Sequence, residues 1–261
     1  MKQITSRDNS LFKDLKQLAT SSQTRRKMGK TLLEGVHLCQ VYLQKVGIPP
    51  LVVMGESAVR DAEVVAIVTS CEAKNTQIVT LPDALYAQLS QVENGVELLF
   101  AINTPPTLAG AKITQSAVLL DNLQDPGNLG SILRSAAAAG IKDIYCSKGT
   151  AFSWSPKVLR AGMGAHFWLN IVENADLASL VRSAAIPVIA TSSHAARTLY
   201  EANLKKPTAW LFGHEGKGVS QELLSLATYQ VTIPHQTEVE SLNVAASAAI
   251  CFFEQVRQRT Q

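Results

Sequence analysis

Short apolar runs alternate with amphipathic stretches along nearly the whole chain, and this rhythm restricts the fold more than any other feature. Ser10 is expected as the N-cap of a stretch in which Leu11, Leu15 and Leu18 share one helical face, with Lys13 and Lys16 on the other. Val36, Cys39, Leu43 and Val46 mark a second helix over 33–46, stopped by Gly47 and the pair Pro49-Pro50. Strands 51–54, 77–81 and 96–102 and helices 61–73 and 83–90 complete the first half. A Pro-rich stretch, Asn103 to Gly110, interrupts the rhythm, which restarts at the apolar run Ala117-Val118-Leu119-Leu120. Helix 129–139 comes next, then strands 143–147, 168–172, 187–191, 208–212 and 229–233. Helices 155–163, 176–184, 220–226 and 241–258 separate and follow them. Strands and helices in this order imply an α/β protein with mostly parallel sheets covered on both faces. We expect two domains, 1–104 and 113–261, joined by a linker at 105–112.

The 261 residues suit one large or two medium domains, and 46% hydrophobic with 17% charged residues excludes a disordered or collagen-like chain. No apolar run reaches the roughly 18–20 residues that span a bilayer. The start, Met1-Lys2-Gln3-Ile4-Thr5-Ser6-Arg7, is basic but lacks the apolar core of a signal peptide. Cys39, Cys71, Cys146 and Cys251 lie far apart and form no Cys/His ligand cluster. Reduced thiols in a cytoplasmic protein without a metal site are therefore expected.

Residues 1–30 hold eight basic side chains against Asp8 and Asp14, while the remainder is slightly acidic. A basic stretch on such a body suggests a face for a polyanion; a merely solvated helical surface is the other reading, and charge alone does not separate them.

Familiar chemical motifs are absent. Gly213 to Gly218 runs GxxGxG, neither a dinucleotide fingerprint nor a P-loop, and no GxSxG or HExxH occurs. Three polar clusters remain, each at a strand-to-helix turn, where open α/β sheets bind ligands. In Asp125 to Arg134, Asn128 is placed to cap a helix, and Arg134 lies among Ile132, Leu133 and the alanine run, where it needs an acidic partner or a function. In Trp210 to Gly218, glycines let the backbone approach a ligand, with Glu215 positioned to orient a hydroxyl; an ordinary tight turn is the alternative. In Ile233 to Val244, Ser241 is expected as an N-cap whose neighbouring amides hold a carboxylate or ribose. His166, His194 and His235 are read as structural or solvated, while His214, beside Glu215, stays open.

Together and in this order, the stretches DNLQDPGNLGSILRSAAAAG (121–140), RAGMGAHF (160–167), LFGHEGKGVS (211–220) and IPHQTEVESLNVAASAAI (233–250) resemble the SpoU, or TrmH, family of RNA ribose 2′-O-methyltransferases in the SPOUT superfamily. The resemblance covers the second half. ITSRDNSLFKDLKQL and TLLEGVHL in the first half resemble the family's RNA-binding domain, which is similar to kink-turn-binding ribosomal proteins.

That resemblance implies a parallel-sheet C-terminal domain with a trefoil knot, a homodimer through that domain packed partly by the last helix, 241–258, and S-adenosyl-L-methionine as cofactor. Thr191, Gly213, Ile233 and Leu242 are carried over as cofactor-binding, and Asn128, Arg134, Glu215, Ser241 and Asn243 as catalytic. A ribose hydroxyl is a poor nucleophile, and a sulfonium makes its methyl group electrophilic already, so in-line placement is much of the task. The family gives Arg134 the hydroxyl proton; a guanidinium stays protonated, so Arg134 is expected to polarise the hydroxyl or steady an oxyanion or phosphate. Arg7, Lys13, Arg25, Arg26 and Lys27 are expected to meet RNA phosphates, which supply affinity rather than sequence choice. The two-domain layout looks most like members acting on 23S ribosomal RNA. Transfer RNA methylation, or a non-catalytic RNA-binding role in ribosome assembly, are the alternatives.

Overall fold

A computed structural model describes residues 1–92, 95–106, 112–236, 238 and 240–260. The chain divides into two compact units, Met1–Pro106 with Trp154–Phe167, and Thr107–Ser153 with Trp168–Gln261. Most of the expected linker, residues 107–111, lies outside the described residues. Segment 154–167, which the sequence reading places in the second domain, belongs to the first unit.

The first unit contains β1 (Lys2–Gln3), α1 (Ser10–Thr20), α2 (Ser22–Met28), β2 (Lys30–Glu34), α3 (Val36–Lys45), β3 (Leu51–Gly55), α4 (Ala62–Glu72), β4 (Gln77–Leu81), α5 (Asp83–Tyr86) and β5 (Leu98–Asn103), with α7 (Pro156–Gly162) from later in the chain. Its sheet runs β1-β4-β3-β5-β2. The pairs β1/β4 and β3/β4 are parallel, but β3/β5 and β2/β5 are antiparallel. A mixed sheet thus replaces the mostly parallel one expected here.

Strand β2 overlaps the start of the expected helix 33–46 and carries no strand signal of its own, because Thr31, Leu32 and Leu33 are all buried and show no period-2 alternation. One side of that edge strand meets the later segment: Thr31 Oγ1 donates to Trp154 O at 2.6 Å, and Arg160 pairs with Glu34 at 3.3 Å. Helix α1 buries Phe12, Leu15, Leu18 and Ala19. Its cap is Asn9 rather than Ser10, since the Asn9 side-chain carbonyl accepts from the N–H groups of Leu11 (3.0 Å) and Phe12 (3.4 Å).

The second unit contains β6 (Ala117–Leu120), α6 (Pro126–Ala138), β7 (Asp143–Ser147), β8 (Asn170–Ala175), α8 (Leu177–Ser183), β9 (Val188–Thr191), β10 (Ala209–Phe212), α9 (Gln221–Leu226), β11 (Tyr229–Val231) and α10 (Val244–Thr260). Six strands in the order β11-β9-β10-β6-β7-β8 pair in parallel throughout. The chain leaves β6 toward β7 and β8, then returns to build the other half beside β6. Strands β6 and β10 are buried on both faces, which is why they read as unbroken apolar runs.

Helix α10 packs on β10 through Phe212 and Phe252, whose rings meet edge-to-face at 5.7 Å. Gln255, also buried, accepts the Trp210 indole N–H at 3.1 Å. Burying Phe252 contributes roughly 1.5–3 kcal/mol, and the Gln255 bond fixes the helix along its axis.

Candidate functional site

Strands β6 and β10 are neighbours whose chains depart to opposite halves of the sheet, so their carboxyl ends flank a topological switch point, the usual ligand crevice of open α/β sheets. Backbone pairing runs one step past the strands, with Asp121 N–H donating to Phe212 O at 2.8 Å. Asp121 then ties the two loops together by accepting the Ser220 N–H at 2.9 Å.

Three side chains from three separate segments, the first turn of α6 and the loops after β10 and before α10, form one directed chain of hydrogen bonds. Asn243 caps α10: its side-chain carbonyl accepts from the N–H groups of Ala245 (2.9 Å) and Ala246 (3.2 Å). Its amide nitrogen is therefore turned outward and donates to Asn128 Oδ1 at 2.9 Å. Asn128 Nδ2 in turn donates to Glu215 Oε1 at 3.2 Å. The Glu215 carboxylate also accepts the N–H groups of Asp125 (2.9 Å) and Gln124 (3.2 Å). Burial pushes the Glu215 carboxyl up, but the bonds from Asp125, its own backbone, Asn128 and Gln124 outweigh it, and the group lies below the usual carboxylate value.

Two capping expectations are corrected. Asp125, not Asn128, caps α6, accepting the Asn128 N–H at 2.7 Å with Pro126 in the first turn. Asn243, not Ser241, caps α10, because Ser241 lies before the first residue whose side chain reaches the free amides. The pattern Asp-Pro-Gly-Asn carries the first signal, since Asp ahead of Pro is a helix-start signature.

A cavity of about 770 Å³ opens beside this chain, lined by Thr191, Gly213, Ile233, Ser241 and Leu242 among others. All four expected cofactor-binding residues, and Ser241, therefore border one space. Gly213 is obligatory there, because a Cβ would lie 2.1 Å from the backbone of Gly218 and Val219. The cavity is thus bordered by strand ends and glycines, with hydroxyl and imidazole side chains among its lining residues. That donor and acceptor set fits a nucleoside joined to an amino acid, as in S-adenosyl-L-methionine. Among the described residues no group of three or more His, Cys, Asp or Glu side chains is arranged to hold a metal ion.

Arg134 stands apart from the cluster. It is exposed and, among the described residues, makes neither a hydrogen bond nor an ion pair, contrary to the packed setting expected of it. Six residues beyond Asn128, it projects about 120° around α6 and about 9 Å along it. In the first unit Arg7, Lys13, Arg26 and Lys27 are exposed, and Lys13 pairs with Asp8 at 3.1 Å. Arg25 is a correction: it is 5% exposed, and its guanidinium donates to the carbonyls of Leu18 (2.5 Å) and Ala19 (3.2 Å) at the end of α1. It satisfies a helix C-terminus and is not presented to a phosphate.

Comparison with known proteins gives a consistent picture. The model of the SpoU rRNA methylase family matches residues 115–253. An uncharacterised tRNA/rRNA methyltransferase of Synechocystis is 34% identical, over 98% of this chain and 94% of its own length. The 23S rRNA (guanosine(2553)-2′-O)-methyltransferase RlmP of Bacillus subtilis is 32% identical, over 97% and 98%. Among solved structures, an RNA 2′-O ribose methyltransferase superposes with a TM-score of 0.83 at 30% identity, covering 99% of this chain and 100% of the other. An AdoMet-bound rRNA methyltransferase from Sinorhizobium meliloti superposes with a TM-score of 0.84 at 25% identity, covering 98% and 97%.

Proposed function

This chain belongs to the SpoU rRNA methylase family, and from that premise we propose that it transfers a methyl group from S-adenosyl-L-methionine to a ribose 2′-hydroxyl of 23S ribosomal RNA. The observation that carries the site assignment is the chain Asn243–Asn128–Glu215 beside the Gly213 cradle.

When bound, the cofactor supplies an electrophilic methyl group. The protein's part is then to hold the hydroxyl oxygen in line and to polarise it. Backbone at Gly213, Ile233 and Leu242, with Thr191 at the strand end, would hold the cofactor. Glu215 fixes the loop before α6, and that loop and Asn128 face the reacting ribose. Glu215 already accepts three hydrogen bonds and holds its negative charge, which suits positioning rather than proton uptake. Ser241 at the cavity edge is assigned to the ribose or its phosphate.

Arg134, charged and unpartnered among the described residues, is assigned to the hydroxyl or an adjacent phosphate, supplied with its counter-charge only when RNA binds. Arg7, Lys13, Arg26 and Lys27 are assigned to RNA phosphates. The proposal includes a homodimer through α10, whose Phe253 is 49% exposed, and the family's trefoil knot. No helix of the described residues is long and apolar enough to cross a membrane. Four free, buried cysteines suit the cytoplasm.

The test is methyl transfer from labelled S-adenosyl-L-methionine to size-fractionated bacterial RNA, with Arg134→Ala alongside. Label in 23S RNA that falls at least roughly 100-fold in the variant, with an unchanged melting temperature, is the expected result. Label in tRNA would replace the substrate and keep the chemistry. Neither label nor cofactor binding would overturn the proposal in favour of an RNA-binding assembly factor.

A further inference from the structure

The loop between β10 and α9 is held shut by an imidazole. His214 and Gly218 exchange backbone hydrogen bonds, His214 N–H to Gly218 O at 3.0 Å and the reverse at 2.8 Å. Within that small hairpin the Gly216 N–H donates to His214 Nδ1 at 2.9 Å. A backbone N–H can only donate, so Nδ1 is the lone-pair nitrogen and the ring proton sits on Nε2.

Two further imidazoles line the same cavity, and their situation is different. His235 Nδ1 lies 2.7 Å from Ile233 O, a carbonyl that can only accept, so a second proton goes to Nε2 and leaves that bond intact. His194 Nδ1 faces the Ser193 hydroxyl at 3.2 Å, which can donate or accept. His214 is thus the lining histidine whose ring bond is necessarily destroyed by protonation. The loop it braces carries Glu215 and closes over Gly213, where no Cβ fits. Titratable groups that line the same cavity as the ring are Glu215 and Lys217 on the same loop, with Glu240, His235 and His194 from other segments.

Building on the methyltransferase reading above, we infer that His214 is a positioning residue: its neutral ring holds closed the turn that presents Glu215 and the Gly213 backbone, and methyl transfer weakens as the ring takes a second proton. An asparagine at this position performs the same task without titrating, because its side-chain carbonyl accepts the N–H two residues on in an Asx-turn.

The experiment compares wild type, His214→Asn and His214→Ala between about pH 5.5 and 8.5, a range that brackets the ordinary histidine pKa. It reads S-adenosyl-L-methionine affinity, methyl transfer and hydrogen exchange at the Gly216 amide. At the alkaline end, His214→Asn is expected within about twofold of wild type and His214→Ala lower by roughly 2- to 10-fold, the effect of one hydrogen bond. On acidification wild type falls toward the alanine variant while His214→Asn does not, and Gly216 protection follows the same order. An asparagine variant as weak as alanine at alkaline pH, one that keeps the wild-type acid fall, or equal Gly216 protection in all three, would each overturn the inference. If wild type at alkaline pH neither binds S-adenosyl-L-methionine nor methylates RNA, the functional reading fails, and Gly216 exchange still decides whether the ring braces the turn.

Discussion

Replacing Glu215 by glutamine separates a positioning carboxylate from a catalytic base. Oε1 accepts from Asp125 N–H at 2.9 Å and Asn128 Nδ2 at 3.2 Å, while Oε2 accepts from Gln124 N–H at 3.2 Å. A glutamine has one carbonyl oxygen. In its better orientation the oxygen keeps the first two bonds, and its amino group meets the Gln124 N–H, donor against donor. One charge-assisted bond, worth roughly 1.5–3 kcal/mol, disappears and two more are reduced to neutral strength. Glu215 is exposed, so water takes up the orphaned donor and solvent screens the missing charge, leaving about 1–2 kcal/mol. That corresponds to a fall of about 5- to 30-fold in single-turnover methyl transfer. The assay is single-turnover transfer to an RNA transcript at saturating cofactor, with thermal melting to confirm the fold. A general base contributes roughly 10²–10⁴-fold. A loss beyond about 100-fold with cofactor affinity unchanged would show that Glu215 moves a proton, and the reasoning from its hydrogen-bonded, charge-stabilised carboxylate would be wrong.

Two adjacent arginines in α2 should behave oppositely. Arg25→Ala removes the guanidinium from Leu18 O and leaves Ala19 O with the Gln91 amide alone, and it is expected to lower stability by about 1–3 kcal/mol, read from chemical denaturation. Arg26→Glu should weaken RNA binding and make the salt slope shallower, by about one for each phosphate no longer neutralised; unchanged RNA binding would overturn that assignment. Gly213→Ala forces a methyl group to within 2.1 Å of the Gly218–Val219 backbone. It is expected to cost about 1–3 kcal/mol or more and to abolish cofactor binding by calorimetry, and near-wild-type binding would show that the loop can open there.

What the sequence makes legible is local. Ala117–Leu120 and Ala209–Phe212 stand out because both faces of a central parallel strand are buried. Asp-Pro-Gly-Asn and the glycines of 213–218 mark turns through their own chemistry, and those turns flank the site. The unread parts depend on partners distant in sequence. Leu32 and Leu33 serve a strand or a helix equally well until β5 arrives to pair with them antiparallel. That pairing, which makes the first sheet mixed, has no local signature. Arg25 looks like its neighbours Arg26 and Lys27; only the end of α1 lying within reach turns it inward. The apolar residues around Arg134 suggest a packed setting, yet 3.6 residues per turn leaves one direction on α6 open to solvent, and Arg134 occupies it. The candidate cluster itself is recognisable only through the joint order of three motifs, since Asn128, Glu215 and Asn243 are each ordinary turn or cap residues singly.

The geometry also says what kind of catalyst this site can be. Asn243 caps α10 and bonds to Asn128 in the first turn of α6, so the positive ends of two helices meet at one point. Every amide in the chain has a fixed orientation, set from Ala245 and Ala246 at one end and from the 124–125 backbone at the other. The amides of such a chain take up no proton, its carboxylate is held below the usual value, and it needs no reorganisation as negative charge grows on a nearby oxygen. The sulfonium methyl group brings its own reactivity, so the protein's contribution lies in alignment and in a field that favours the alkoxide. In the proposed assignment Arg134, which stands outside the chain, takes its counter-charge when substrate arrives. On that assignment RNA completes the site, and methyl transfer becomes conditional on a correctly seated ribose.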